Sequence, residues 1–242
     1  MQEATHPTGT ASPAETMSFI QRVINVFVNP GKAFIAVRNK PNWIPPAMLV
    51  ILLGLLMTYL IAPIAMQEQE EKTITMLEKR GMSQDQIDEA LESGQAIGKY
   101  IMYPSALIGG IVVLLLSAAI WLFVSNTLLG GQARYTQMLE VAGLSSLIAT
   151  VGMFIKIPII LAQKTMNVHF SLATFLPENS KDTFLYKFLI NTDLFNVWSI
   201  AVLCIGIAVV GGLKVKKVWP VVVALLIVWY LGVAALGNLF GR

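Results

Sequence analysis

The chain has 242 residues, of which 55% are hydrophobic and 13% charged, and its net charge is +3. A water-soluble domain carries about 25% charged residues, so this composition excludes an ordinary soluble globule and a disordered protein and indicates a multi-pass membrane protein. The 17 basic residues are spread along the chain, and one Cys and two His leave little material for a disulfide framework or a metal site, so we expect no nucleic-acid partner and no cofactor.

The first sixteen residues are polar and contain two prolines and several threonines. No apolar segment follows a basic start, so the pattern does not predict a cleavable signal peptide. We expect residues 1–16 to be a disordered tail and residues 17–242 to form a single membrane domain.

Residues 17–40 carry the signals of two short interfacial helices. Ser18 and Gln21 form a capping-box pattern at the start of the first helix. Asn29 and Pro30 suit the N-cap and the first position of the second helix. The apolar positions recur at helical spacing and predict an amphipathic, cytoplasmic helix lying on the membrane surface. The residues we expect to meet lipid or a partner protein are Phe19, Val23, Phe27, Lys32, Phe34 and Arg38. The alternative is that this segment only packs under the bundle and leads the chain into the first span.

A helix crosses the hydrocarbon layer of a bilayer in about 20 residues, so long runs without charged residues mark candidate spans. Five runs satisfy this condition, and the fold class predicted is an all-α, polytopic membrane helix bundle. The predicted spans are residues 43–65, 101–128, 139–163, 194–213 and 218–240.

The connections between these spans predict the orientation of the chain. Basic residues near the spans concentrate in residues 22–40, at Arg134 and in the Lys214 to Lys217 cluster, and the positive-inside rule places these segments in the cytoplasm. The N-terminus is then inside and the C-terminus outside. The acidic segment 66–99 is predicted to be an extracytoplasmic helical hairpin, because Gly81 can end one helix and Ser83 with Gln86 can cap the next.

Ionisable side chains inside the spans, which mark transport or catalysis, are almost absent. Lys156 is the exception, and Asp193 lies at a matching depth as its candidate partner; the alternative is that Lys156 snorkels to the outer headgroups. His169 is isolated in a connection, and Cys204 lies mid-span as a small apolar residue. No phosphate loop, metalloprotease motif or nucleophile elbow occurs, so we expect no catalytic residues and no enzyme.

The order of several short motifs resembles the Yip-domain family, membrane proteins named as interactors of Ypt/Rab small GTPases, and in particular its bacterial members. The resemblance extends from Phe19 to about Phe240. Its residues are Phe27, Asn29-Pro30, Ala33-Phe34, Pro41, Trp43, Pro46, Gly130-Gly131, Tyr135, Asp193, Phe195, Trp198, Gly206, Lys214 to Lys217 and Trp229. The family's implied topology, five spans with a cytoplasmic N-terminus, agrees with the spans counted from the residues. For the bacterial branch the resemblance implies a multi-pass membrane protein without an established reaction.

Two functional hypotheses follow. The first is a non-enzymatic integral membrane protein, in the cytoplasmic membrane if the cell is bacterial, that organises the membrane or acts as an adaptor through lipid or protein contacts. The second is a transporter or channel subunit with a polar path near Lys156 and Asp193. Beyond the bilayer itself, a membrane-protein partner, a cytoplasmic partner and a homo-oligomer all stay open.

Overall fold

A computed structural model describes residues 17–166, 168 and 193–240. Over these residues the chain is helical and contains no β-strand, which confirms the all-α class within the described ranges. The disordered tail expected for residues 1–16, and His169, lie outside the described residues. The helices are α1 (Phe19–Val28), α2 (Pro30–Asn39), α3 (Ile44–Lys79), α4 (Gln84–Phe123), α5 (Tyr135–Gln163), α6 (Leu194–Gly211) and α7 (Val215–Phe240).

Four of the described helices are long and apolar enough to cross a bilayer. They are α3, α4 with the π-helical turn Val124–Leu128 that extends it, α5 and α6. They coincide with the first four spans predicted from the sequence, so the chain is a polytopic helical bundle. Helix α7 coincides with the predicted fifth span but is not among these four candidate spanning helices. The count of five spans therefore remains a prediction.

Helices α3 and α4 continue well past the uncharged runs and meet at a tight turn. Gly81 closes α3 with φ +75°, a left-handed conformation that only glycine adopts without strain. At the start of α4 the Ser83 N–H donates to the Gln86 Oε1 at 3.1 Å, so the predicted capping box is confirmed. Ile87, one turn into α4, is buried. Residues 66–99 are thus built from the prolongations of two candidate spans.

Helices α5 and α6 form the centre of the bundle. In the most apolar window of each candidate span, 39% of residues are buried in α5 and 44% in α6, against 17% in both α3 and α4. Two glycines let the central helices approach their neighbours closely. A Cβ at Gly152 would lie 2.4 Å from the Phe195 ring, and one at Gly206 would lie 2.5 Å from the Val141 side chain. Neither position has room for a larger residue.

Helices α1 and α2 form a hairpin in which the start of α1 lies near the end of α2, and α2 packs along α6. Near the tip of the hairpin, the Phe27 and Trp198 rings meet edge to face at 5.8 Å. Further along, Phe34 packs at Gly206, and Arg38 reaches Gly212 beyond the end of α6. Residues 198 and 212 are about 21 Å apart along a helix axis. The hairpin therefore runs beside most of a candidate spanning helix and does not merely cover one end of the bundle.

Candidate functional site

One end of the bundle gathers most of the chain's basic residues outside the 66–99 hairpin. Several polar contacts join distant segments there. The Gln137 side chain donates to the Arg38 carbonyl at 2.8 Å, the Gln132 N–H donates to the Gly211 carbonyl at 3.1 Å, and the Lys217 ammonium donates to the Leu129 carbonyl at 2.7 Å. We call this region the basic end; its cationic residues are Arg22, Arg38, Lys40, Arg134, Lys214, Lys216 and Lys217.

The central feature of the basic end is a buried ion pair between α1 and α5. The Arg22 Nη1 lies 2.6 Å from the Glu140 Oε1, and the two side chains are only 7% and 1% exposed. Arg22 also donates through Nη2 to the Lys40 carbonyl at 2.9 Å and through Nε to the Met17 carbonyl at 3.3 Å. Its guanidinium therefore joins the start of α1, the end of α2 and the first turns of α5.

The second carboxylate oxygen of Glu140 holds the linker between α2 and α3. The Asn42 N–H donates to the Glu140 Oε2 at 2.5 Å. A cavity of about 500 Å³ lies against this cluster and is lined by residues of the α1 start, by Lys40, Pro41 and Asn42, and by the ion pair itself.

Both carboxylate oxygens of Glu140 accept hydrogen bonds, and the Nε, Nη1 and Nη2 atoms of Arg22 all donate them. The pair is therefore fully engaged in holding these segments together. Removing one partner of a buried ion pair costs about 3–5 kcal/mol, because the other charge is left without compensation. The arrangement is therefore a structural lock that holds the α1–α2 hairpin against the bundle.

The structure distributes the six predicted surface residues over different environments. Phe34 is fully buried in the core, so its assignment to a lipid or partner surface was wrong. It packs where Gly206 leaves space on α6. Val23 and Phe27 are half-buried and pack against the core, Phe19 is half-buried at the start of α1, and Lys32 and Arg38 are exposed.

The exposed apolar face of α1 lies on its other side. Ile20, Ile24 and Val28 are 68%, 56% and 79% exposed, and their spacing of four residues places them on one face of the helix. Opposite them, Arg22 and Val26 are buried. Because α1 is apolar on both sides, the predicted single stripe divides into an inner face that packs on the bundle and an outer face that is mostly exposed.

At the opposite end of the bundle, Lys156 and Asp193 form a close ion pair. The Lys156 ammonium lies 2.6 Å from the Asp193 Oδ2, and the side chains are 14% and 6% exposed. The Asp193 Oδ1 accepts the Phe195 N–H at 2.9 Å and caps α6. Of the two alternatives for Lys156, the structure has the paired one, and the pair ties α5 to the start of α6.

Within residues 17–166, 168 and 193–240, no group of three or more His, Cys, Asp or Glu side chains is arranged to hold a metal ion. Cys204 is buried mid-helix in α6, in agreement with its predicted role as a small apolar residue.

The Arg22–Glu140 lock is the element that sequence reasoning missed. Glu140 lies in the run Met138 to Leu144, where it is the only charged residue, and Arg22 lies on the packed side of α1. A lone charge within an apolar run signals a buried partner, because an isolated buried charge is too costly to keep. The partner is 118 residues away, so local spacing could not identify it.

Comparisons with known proteins give a family match and a relative named as a membrane protein. Residues 24–236 match the family model described as Yip1 domain. The chain is 25% identical over 201 residues to a Bacillus subtilis (strain 168) protein named Membrane protein YknW, and the aligned part covers 81% of each chain. No solved structure matches the chain.

Proposed function

Because the chain belongs to the Yip1 domain family, we propose that this integral, multi-pass membrane protein is a non-enzymatic membrane organiser. Its working part is the α1–α2 hairpin, which enters the cytoplasmic leaflet and presents the outer face of α1 to lipid or to another membrane protein. The observation that carries the proposal is the exposed row of Ile20, Ile24 and Val28 on a hairpin that runs beside the candidate span α6.

The proposed topology has five spans, with α7 as the fifth, the N-terminus inside and the C-terminus outside. Support comes from the basic end, where Lys217 binds the turn between α4 and α5 and Arg38 approaches the end of α6. Basic residues grouped beside the spans are typical of the cytoplasmic side. In a bacterial cell this membrane would be the cytoplasmic membrane.

Cysteine accessibility tests the topology. In a Cys204→Ala background, single cysteines at Asp85 and Lys216 should react with a membrane-impermeant maleimide from opposite sides of intact cells or inverted vesicles. Both positions are exposed, so labelling is not limited by burial. Labelling of both from the same side would refute the orientation.

A depth measurement tests the position of the hairpin. In the same background, a fluorophore on Ile24→Cys should be quenched strongly by lipids that carry a spin label on their acyl chains. The matched control is Met76→Cys, an exposed apolar position on the prolonged part of α3 that should remain unquenched. Equal quenching at the two positions would show that α1 does not enter the leaflet.

The organising role is tested by replacing the outer face of α1 and isolating the protein with its native lipid. The triple variant I20S/I24S/V28S keeps Arg22 and the inner face, so the fold should persist, while the lipids or membrane proteins that co-purify with the wild type should be lost. An unchanged set of co-purifying molecules would refute the proposal.

The channel alternative predicts a different result. Reconstituted vesicles should then show an ion flux that Lys156→Met abolishes. The close pairing of Lys156 with Asp193 favours a bond that holds α5 to α6 over a pair of groups that line a path.

A further inference from the structure

A second cavity lies at the basic end, separate from the Arg22–Glu140 cluster. It measures about 490 Å³ and lies between the end of α2, the turn after α4 and the end of α6. The residues that shape it include Arg38, Gly130, Gln132, Arg134, Gln137 and Gly212. None of its lining residues is acidic, and two are arginines.

The two arginines are held in place through their backbones. Gln137 donates to the Arg38 carbonyl at 2.8 Å and accepts the Arg134 N–H at 2.7 Å, so one side chain fixes both residues relative to each other. Neither guanidinium forms an ion pair with a carboxylate among the described residues. Glu140, the one acidic residue of the described basic end, is already bound by Arg22 and Asn42.

Three glycines, Gly130, Gly211 and Gly212, line the cavity. Gly130 and Gly212 have φ +70° and +69°, and a Cβ at Gly212 would lie 3.7 Å from the Arg38 Nη2. Three of the last four carbonyls of α6 accept backbone bonds: the Gly212 N–H donates to Val209, the Leu213 N–H donates to Ala208 at 2.8 Å, and the Gln132 N–H donates to Gly211. These bonds reduce the number of free acceptors that would repel an anion.

Three exposed side chains lie close in sequence to the residues that line the cavity. Ile35 lies one turn before Arg38, Leu128 lies two residues before Gly130, and Tyr135 follows Arg134, and all three side chains are exposed. An exposed tyrosine next to arginine is typical of the boundary between hydrocarbon and water.

We propose that this cavity binds a phosphate group, and that its source is the headgroup of an anionic phospholipid. Arginine binds phosphate through two parallel N–H bonds, and basic pockets between spanning helices suit lipid headgroups. The cavity supplies two such side chains, and the adjoining apolar surface suits the acyl chains. A free phosphate would use the arginines but gain nothing from Ile35, Leu128 and Tyr135. This site does not depend on the proposed insertion of α1.

The test measures lipid binding to the purified full-length protein in detergent by native mass spectrometry. Phosphatidylglycerol is compared with phosphatidylcholine, and inorganic phosphate is added as competitor in a separate arm. The variant R38Q/R134Q removes both guanidinium groups. The matched control K79Q/R80Q removes the same charge at exposed positions in the 66–99 hairpin, outside the cavity lining.

We expect the wild type and the control to prefer phosphatidylglycerol, and R38Q/R134Q to bind it at least about tenfold more weakly. A second variant, Gln132→Glu, keeps both arginines and adds a carboxylate to the lining; it should weaken binding as well. Equal phosphatidylglycerol binding by the wild type and R38Q/R134Q would refute the proposed site. The same would follow if the control variant lost as much phosphatidylglycerol binding as R38Q/R134Q. Full displacement of the lipid by millimolar inorganic phosphate would overturn the assignment to a lipid.

Discussion

Breaking the Arg22–Glu140 pair from one side should be among the most damaging single changes outside the core. In Glu140→Leu, the Arg22 guanidinium stays at a site where its side chain is 7% exposed and its closest partner, 2.6 Å away, is gone. The Asn42 N–H also loses its acceptor. We expect a loss of about 3–5 kcal/mol, which for a chain of this size lowers the melting temperature by about 6–20 °C.

The assay is thermal unfolding of the detergent-solubilised protein, followed by far-ultraviolet circular dichroism. The double variant R22M/E140L removes both charges and leaves neither one unpaired. Its loss of stability should therefore be smaller than the sum of the two single-variant losses, by at least about 1 kcal/mol. Lys72→Met is the matched control, since Lys72 is 71% exposed and 3.7 Å from Glu68. Because the Lys72 ammonium is largely exposed to solvent, its pair with Glu68 should contribute little to stability. If Glu140→Leu has the same melting temperature as Lys72→Met, the Arg22–Glu140 pair does not stabilise the fold.

Three further changes test other contacts by the same melting assay. Lys156→Met leaves the buried Asp193 carboxylate without its cation and should cost about 3 kcal/mol, whereas Lys156→Arg should retain most of the stability; equal losses would argue against the ion pair. Gly152→Val places a side chain within 2.4 Å of Phe195 and should cost about 1–3 kcal/mol, while the same change at Gly109, which has open space around it, should be nearly neutral. Gly81→Ala requires a left-handed alanine and should cost about 1 kcal/mol, and an unchanged melting temperature would show that this turn can rearrange.

Local patterns predicted the local structure well. The capping boxes at Ser18 and Ser83 are both present, because each depends only on residues three positions apart. The first four spans also follow directly from the sequence, since an uncharged run of sufficient length has few alternatives to a membrane helix.

The site was harder to predict because its residues are brought together from distant parts of the chain. Arg22 meets Glu140 across 118 positions, and Gln137 meets Arg38 across 99. In α1, apolar residues on both faces removed the contrast that normally distinguishes the packed side from the exposed one. Phe34, in α2, was assigned to the surface because the space that buries it is left by Gly206 on α6, far away in sequence.

The distance in sequence between Arg22 and Glu140 also determines when the hairpin can dock during synthesis. Translation proceeds at about 5–20 residues per second, so Glu140 leaves the ribosome roughly 6–24 s after Arg22, and α6 follows later still. The first helices to emerge thus lack their docking surface until most of the chain has been made. During that interval α1 and α2 have neither α5 nor α6 to pack against, and the ion pair can form only after α5 has been made.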